Sequence, residues 1–183
     1  MLVALDAGHG KDTAGKRSPD CTLLEYEFNR AIASRVRTIL TAHGVSVILT
    51  AQPDDLDTSL SARCCAANKK KANIFVSLHA NASGSGTWDS ASGWEIYVYK
   101  KGGQAEKLAQ SIHSVSLPCL GLKDRGIKEA DFYVLRKTNM PAVLIEHGFY
   151  TNRGECALLK STAFRDKCAE VDAKGILNYL GII

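Results

Sequence analysis

Four ionisable residues of this chain stand where side chains can meet a ligand. His9 lies in Leu5-Asp6-Ala7-Gly8-His9-Gly10 and His79 in Ser77-Leu78-His79-Ala80-Asn81, each closing a short apolar run beside small residues. Glu146 follows Ala142-Val143-Leu144-Ile145, and Glu25 precedes an apolar repeat that begins at Phe28. Two imidazoles and one carboxylate form a common catalytic zinc set with a fourth position open to water. Zinc brings the pKa of such a water to about 7. A second carboxylate, not bound to the metal, can take the water's proton and pass it to a leaving amine. These residue types point to a zinc hydrolase, with the division of labour between the two carboxylates open at this stage.

The four must be brought together by the elements that carry them. Residues 2–6, 45–49, 73–78 and 94–99 read as strands, and 132–135 and 142–145 as two shorter ones. Phe28, Ile32, Val36, Ile39 and Leu40 recur at helical spacing up to Gly44. Asp57, Thr58 or Ser59 is placed to cap a helix carrying Leu60, Cys64 and Ala67. Further helices are expected over 105–115, after a cap at Thr151 or Asn152, and along Phe164, Cys168, Val171, Ile176 and Leu180. Strands alternating with helices imply an α/β fold: a single layered domain over 1–183, with a mostly parallel, twisted central sheet of about six strands and helices on both faces. In such sheets ligands bind beyond the carboxyl ends of strands. His9, His79 and Glu146 each end a different strand, and Glu25 opens a helix that must start at the same edge.

Composition narrows the partners. The chain has 183 residues, 45% hydrophobic and 23% charged, with a net charge of +4. That bias is too small to argue for nucleic acid, and none is expected as a partner. No apolar run approaches the ~18 residues of a membrane span, so no membrane insertion is expected. The start Met1-Leu2-Val3-Ala4-Leu5 has no basic region of a signal peptide, which implies synthesis in the cytoplasm. None of the six cysteines forms a C-x-x-C pair, so they read as small hydrophobes rather than metal ligands. A monomer is expected. Gly84-Ser85-Gly86 lacks the pattern of a phosphate cradle.

Several segments together resemble one family, the zinc-dependent N-acetylmuramoyl-L-alanine amidases of the Amidase_3 type found in bacterial and phage cell-wall lysis enzymes. The similarity runs nearly end to end. Asp6 to Gly10 matches D-x-G-H-G, Glu25 to Asn29 matches E-x-x-x-N, and Leu60, Arg63 and Asn68 fit L-x-x-R-x-x-x-x-N. Ser77 to Ala82 matches S-x-H-x-N-A, and Pro141 to Asn152 matches P-A-v-L-x-E-x-G-F-x-x-N. The resemblance implies one zinc ion held by His9, Glu25 and His79, with Glu146 as the catalytic carboxylate. Glu25 rather than Glu27 is the ligand because only Glu25 stands four residues before Asn29. The implied reaction is hydrolysis of the amide between N-acetylmuramic acid and the first L-alanine of the peptidoglycan stem peptide. The resemblance further implies action outside the cytoplasm on the cell wall, as in a phage or prophage endolysin.

The residues around this set are less determined. Asn81, two residues past His79, is a candidate for a substrate carbonyl, and Arg17 and Arg125 are candidates for a substrate carboxylate. Trp88 can pack on a sugar or a peptide, or cover the core. His147 should face away from Glu146 and serve structure. The stretch 81–93 is too short for a blocking helix of several turns, so an open catalytic domain is expected. Two alternatives stay open: a zinc peptidase or deacetylase on a similar sheet, and a peptidoglycan-binding module without chemistry.

Overall fold

In chain order the elements are β1 (Leu2–Ala7), α1 (Glu25–Ala42), β2 (Ser46–Leu49), α2 (Leu60–Lys69), β3 (Ile74–Asn81), β4 (Trp94–Val98), α3 (Gln104–Leu120), β5 (Asp124–Glu129), α4 (Tyr133–Lys137), β6 (Ala142–Phe149), α5 (Arg153–Lys160) and α6 (Thr162–Tyr179). The computed structural model describes residues 1–51, 56–84 and 86–183. The strands form one sheet in the order β2-β1-β3-β6-β4-β5. The first four in that order are mutually parallel. β4 runs antiparallel to β6, and β5 runs parallel to β4.

Alternation along the strands explains the two layers of core. Val3, Leu5, Val76, Leu78, Val143 and Ile145 point to one face, where they pack beneath α1, α3 and α6. Ala4, Phe75, Ala142 and Leu144 point to the other, beneath α2 and α4. Strands buried on both faces read as continuous apolar runs, which is why β1, β3 and β6 are visible in the sequence. Helix α1 buries Phe28, Ile32, Val36 and Leu40 along one stripe. Ser59 caps α2 by accepting from the Ala62 amide, and Asn152 caps α5 by accepting from Gly154 and Glu155.

Four sequence expectations need correction. Residues 132–135 form the start of helix α4 instead of a strand, with Phe132 as its extended N-cap. Their apolar run covers the smaller core from outside the sheet. Strand β5 was not foreseen, because Asp-Arg-Gly-Ile-Lys-Glu is polar. It is an edge strand, and an edge has no second neighbour demanding apolar cover. Helix α3 continues to Leu120, past the expected end at 115, and closes on left-handed Gly121. Finally, His79 and Glu146 do not end their strands: β3 runs on to Asn81 and β6 to Phe149.

Candidate metal centre and active site

The tip of β1 sets the first histidine. His9 has a backbone φ of 60°, a left-handed conformation that costs a non-glycine residue free energy. Arg63 holds it there. From α2 its guanidinium spends all five N–H groups: on Thr58 O (2.6 Å), Asp6 Oδ1 (2.8 Å), Ala7 O (2.6 Å), His9 O (3.3 Å) and Asp57 Oδ1 (2.8 Å). Asp6 is itself buried and also accepts from Ser77 and Thr50. Burial alone would raise its carboxyl, but Arg63 and the two hydroxyls hold it below the usual carboxylate range.

Helix α1 begins at Glu25, whose side chain is only 2% exposed. Glu25 Oε1 lies 3.4 Å from His9 Nε2 and 2.9 Å from His79 Nδ1. The two imidazole centroids are 5.1 Å apart, with planes at 86°. Asn29, one turn along α1, donates to Gly8 O (3.0 Å) and to Glu25 Oε1 (3.4 Å). Such outer contacts orient a ligating carboxylate. Burial works against the Glu25 charge, but His79 and His9 outweigh it and its carboxyl is lowered. His79 is raised in return: burial opposes its charge, and Glu25 overrides that. Burial pushes His9 down to about 4, so its ring is neutral at neutral pH with a lone pair to offer.

One donor atom from each of His9, Glu25 and His79 lies within 4.8 Å of the others. Among the described residues this is the one cluster able to hold a metal ion. A set of two half-buried imidazole nitrogens and one buried carboxylate oxygen suits a borderline cation such as zinc.

Glu146 sits beside this cluster. On the parallel pair β3–β6 it is the register partner of His79. Its Oε2 is buried and has no hydrogen-bond partner among the described residues. Burial pushes its carboxyl up, with partial relief from His79 and a further upward push from the Glu25 charge. A carboxyl raised above its ordinary range moves toward the working pH at which it can both take and return a proton. The cluster opens into a cavity of about 390 Å³, lined among others by Lys16, Leu60, Phe132 and Glu146. Leu60 and Phe132 expose apolar surface at its mouth.

The remaining candidates are placed unevenly. Asn81 turns its amide onto Glu95 Oε1 at 2.6 Å. Arg125 donates to Glu95 Oε2 at 2.6 Å and stacks 4.9 Å from the Phe149 ring centroid. Arg17 is not in the cavity wall: it pairs with Leu24 and lines a separate depression, while its neighbour Lys16 reaches the cavity. Trp88 carries Arg153 over its ring at 4.4 Å.

The match to known proteins follows this geometry. The model of the family N-acetylmuramoyl-L-alanine amidase (Amidase_3) matches residues 3–178. The chain belongs to this family. It is 36% identical over 179 residues to the N-acetylmuramoyl-L-alanine amidase LytC of Bacillus subtilis, covering 97% of this chain and 35% of LytC. It is 37% identical over 187 residues to the endolysin of Bacillus phage SPP1, covering 99% of this chain and 66% of the endolysin. This amidase-family chain thus spans about a third of one relative's length and two thirds of the other's. Its fold is similar to the catalytic domain of CwlV, an N-acetylmuramoyl-L-alanine amidase from Bacillus (Paenibacillus) polymyxa var. colistinus. There the TM-score is 0.92 at 38% identity, covering 100% of this chain and 99% of that one. The amidase fold was therefore expected correctly from the sequence motifs.

Glu95 was overlooked in the sequence. It is 2% exposed and pairs with Glu146 across β4–β6. Asn81, Tyr97, Arg125 and Lys128 all donate to its two oxygens. A lone acid within Trp-Glu-Ile-Tyr-Val was the available signal. Arg63 entered only as a motif letter, although it supports the whole β1 tip.

Proposed function

We propose that this chain hydrolyses the amide between N-acetylmuramic acid and the first L-alanine of the peptidoglycan stem peptide. Residues 1–183 act as one catalytic domain on the cell wall, outside the cytoplasm. The observation that carries this reading is the register pairing of His79 with Glu146, which sets a proton-handling carboxyl against a three-donor cluster in an open cavity. Family membership supplies the substrate class.

His9, Glu25 and His79 would hold one zinc ion. When bound, zinc supplies a Lewis acid that polarises the amide carbonyl and favours hydroxide at neutral pH. Glu146 accepts the proton of the attacking water at its carboxylate. It then delivers that proton to the alanine nitrogen as the C–N bond breaks, leaving a lactyl carboxyl group and a free amine. Arg63 and Asn29 keep the donors in position. The apolar rim at Leu60 and Phe132 shields one side of the cleft from water.

No helix occurs among the described residues between β3 and β4, which supports an open cleft. No described helix is long and apolar enough to cross a membrane. Digestion of purified sacculi, with and without chelator, tests the proposal by mass analysis of the fragments. Stem peptides with free L-alanine amino termini are expected, lost on chelation and restored by zinc. Cleavage between peptide residues, or release of acetate, would favour the peptidase or deacetylase reading.

A further inference from the structure

β6 contains one residue too many. Between the register pairs His79↔Glu146 and Asn81↔Phe149, β3 advances two residues and β6 three. The extra residue falls at His147-Gly148, where Gly148 takes a φ of 124° that side chains rarely allow. Bulges of this kind re-aim side chains and recur beside active sites.

Two buried side chains complete the bulge. Glu155 accepts from the Phe149 amide at 2.7 Å. On the opposite side of β6 from Glu146, fully buried His147 places Nδ1 3.0 Å from the carbonyl oxygen of His79. A carbonyl only accepts, so Nδ1 carries hydrogen and donates. Nε2 lies 2.7 Å from Asp172 Oδ2 on α6, and Asp172 is also fully buried. With Nδ1 committed, Nε2 and Oδ2 must share one further proton, because two bare lone pairs would repel. The Phe28 ring packs edge-on at 5.5 Å. Neither residue lines the cavity. An ionisable pair so deep in an apolar layer is a poor source of stability compared with hydrophobic packing.

We propose that His147 and Asp172 are a positioning pair, which holds the β3–β6 bulge through the His79 carbonyl and thereby fixes His79 against Glu146. The functional consequence rests on the roles given above to His79 and Glu146. Asp172 orients the ring, the ring grips the His79 backbone, and the backbone sets the imidazole that faces Glu25.

The test compares His147→Asn, His147→Gln and His147→Leu at a temperature where each is folded. Asn places an amide donor near the position of Nδ1 and can still reach His79 O. Gln extends to Asp172 instead, and Leu reaches neither. In the Leu and Gln variants kcat should fall about 10-fold or more with KM unchanged, while Asn restores most of it. In metal-free protein, hydrogen–deuterium exchange over 142–150 should quicken in Leu and Gln but not in Asn. That readout needs neither zinc nor turnover, so it stands even if the chain proves inactive on sacculi. Equal kcat and equal exchange in Asn and Leu would overturn the proposal. If the His147 variants do not fold, Asp172→Asn serves in their place. It keeps a partner for Nε2 and should retain near-normal kcat and exchange, whereas Asp172→Ala should show both defects. Wild-type behaviour in the Ala variant would equally refute the pair.

Discussion

Gly8 lies directly against the ring of His79: a β-carbon on Gly8 would fall 2.0 Å from His79 Cε1. Only glycine lets the β1 tip approach the second histidine so closely. The Gly8 amide also donates to Leu78 O at 3.1 Å, tying the two strand tips together.

Gly8→Ala should therefore displace the His79 ring. Overpacking of this kind costs about 1–3 kcal/mol, and the donor cluster should widen with it. Urea unfolding should show the loss of stability, and metal content after dialysis should fall below one ion per chain. Unchanged metal retention would mean that the ring relaxes without leaving the cluster.

Glu146→Gln keeps the size of the side chain and removes its proton chemistry. Metal content should match wild type, because Glu146 is outside the three-donor cluster. Turnover of sacculi should drop by roughly 10²–10⁴-fold, the usual worth of general acid–base catalysis. Near-normal turnover would reject the assignment.

Glu95 makes stability depend on acid. Burial would raise its carboxyl, yet Lys128, Arg125 and Tyr97 hold it at about 2, below the ordinary 4.5. Its folded pKa is depressed, so the stabilisation is complete above about 4.5 and is lost as pH falls toward 2. That shift corresponds to an upper bound on the order of 3 kcal/mol. Denaturant midpoints of wild type and Glu95→Gln should differ at pH 6 and converge near pH 2. A difference independent of pH would show that Glu95 packs rather than pairs.

Arg63→Ala would leave Asp6 charged and buried without its partner. Loss of one member of a buried pair costs about 3–5 kcal/mol, and His9 loses a bond to its left-handed backbone. A thermal melt should show the destabilisation. Arg63→Lys should recover only part of it, since one ammonium cannot reach the five acceptors that the guanidinium serves.

Much of the site was legible in the chain because its letters are local. The apolar runs ending near His9, His79 and Glu146 declare strands, and the spacing of Phe28, Ile32 and Val36 declares the helix that Glu25 opens. Strand β5 and helix α4 were not legible. A polar edge strand carries no apolar alternation to see, and a one-turn apolar run suits a strand and a buried helix equally well. Arg17 illustrates a further gap, because a loop's chain position does not say which depression it borders.

The amino-acid order by itself determined the family, the alternating layers, and the four polar groups that share one sheet edge. Tertiary structure alone decided that Glu95 would gather Asn81, Tyr97, Arg125 and Lys128, and that β6 would bulge between Glu146 and Phe149. These depend on which strands become neighbours and in what register. That choice is made by burial summed over the entire sheet, so no short stretch of sequence contains it.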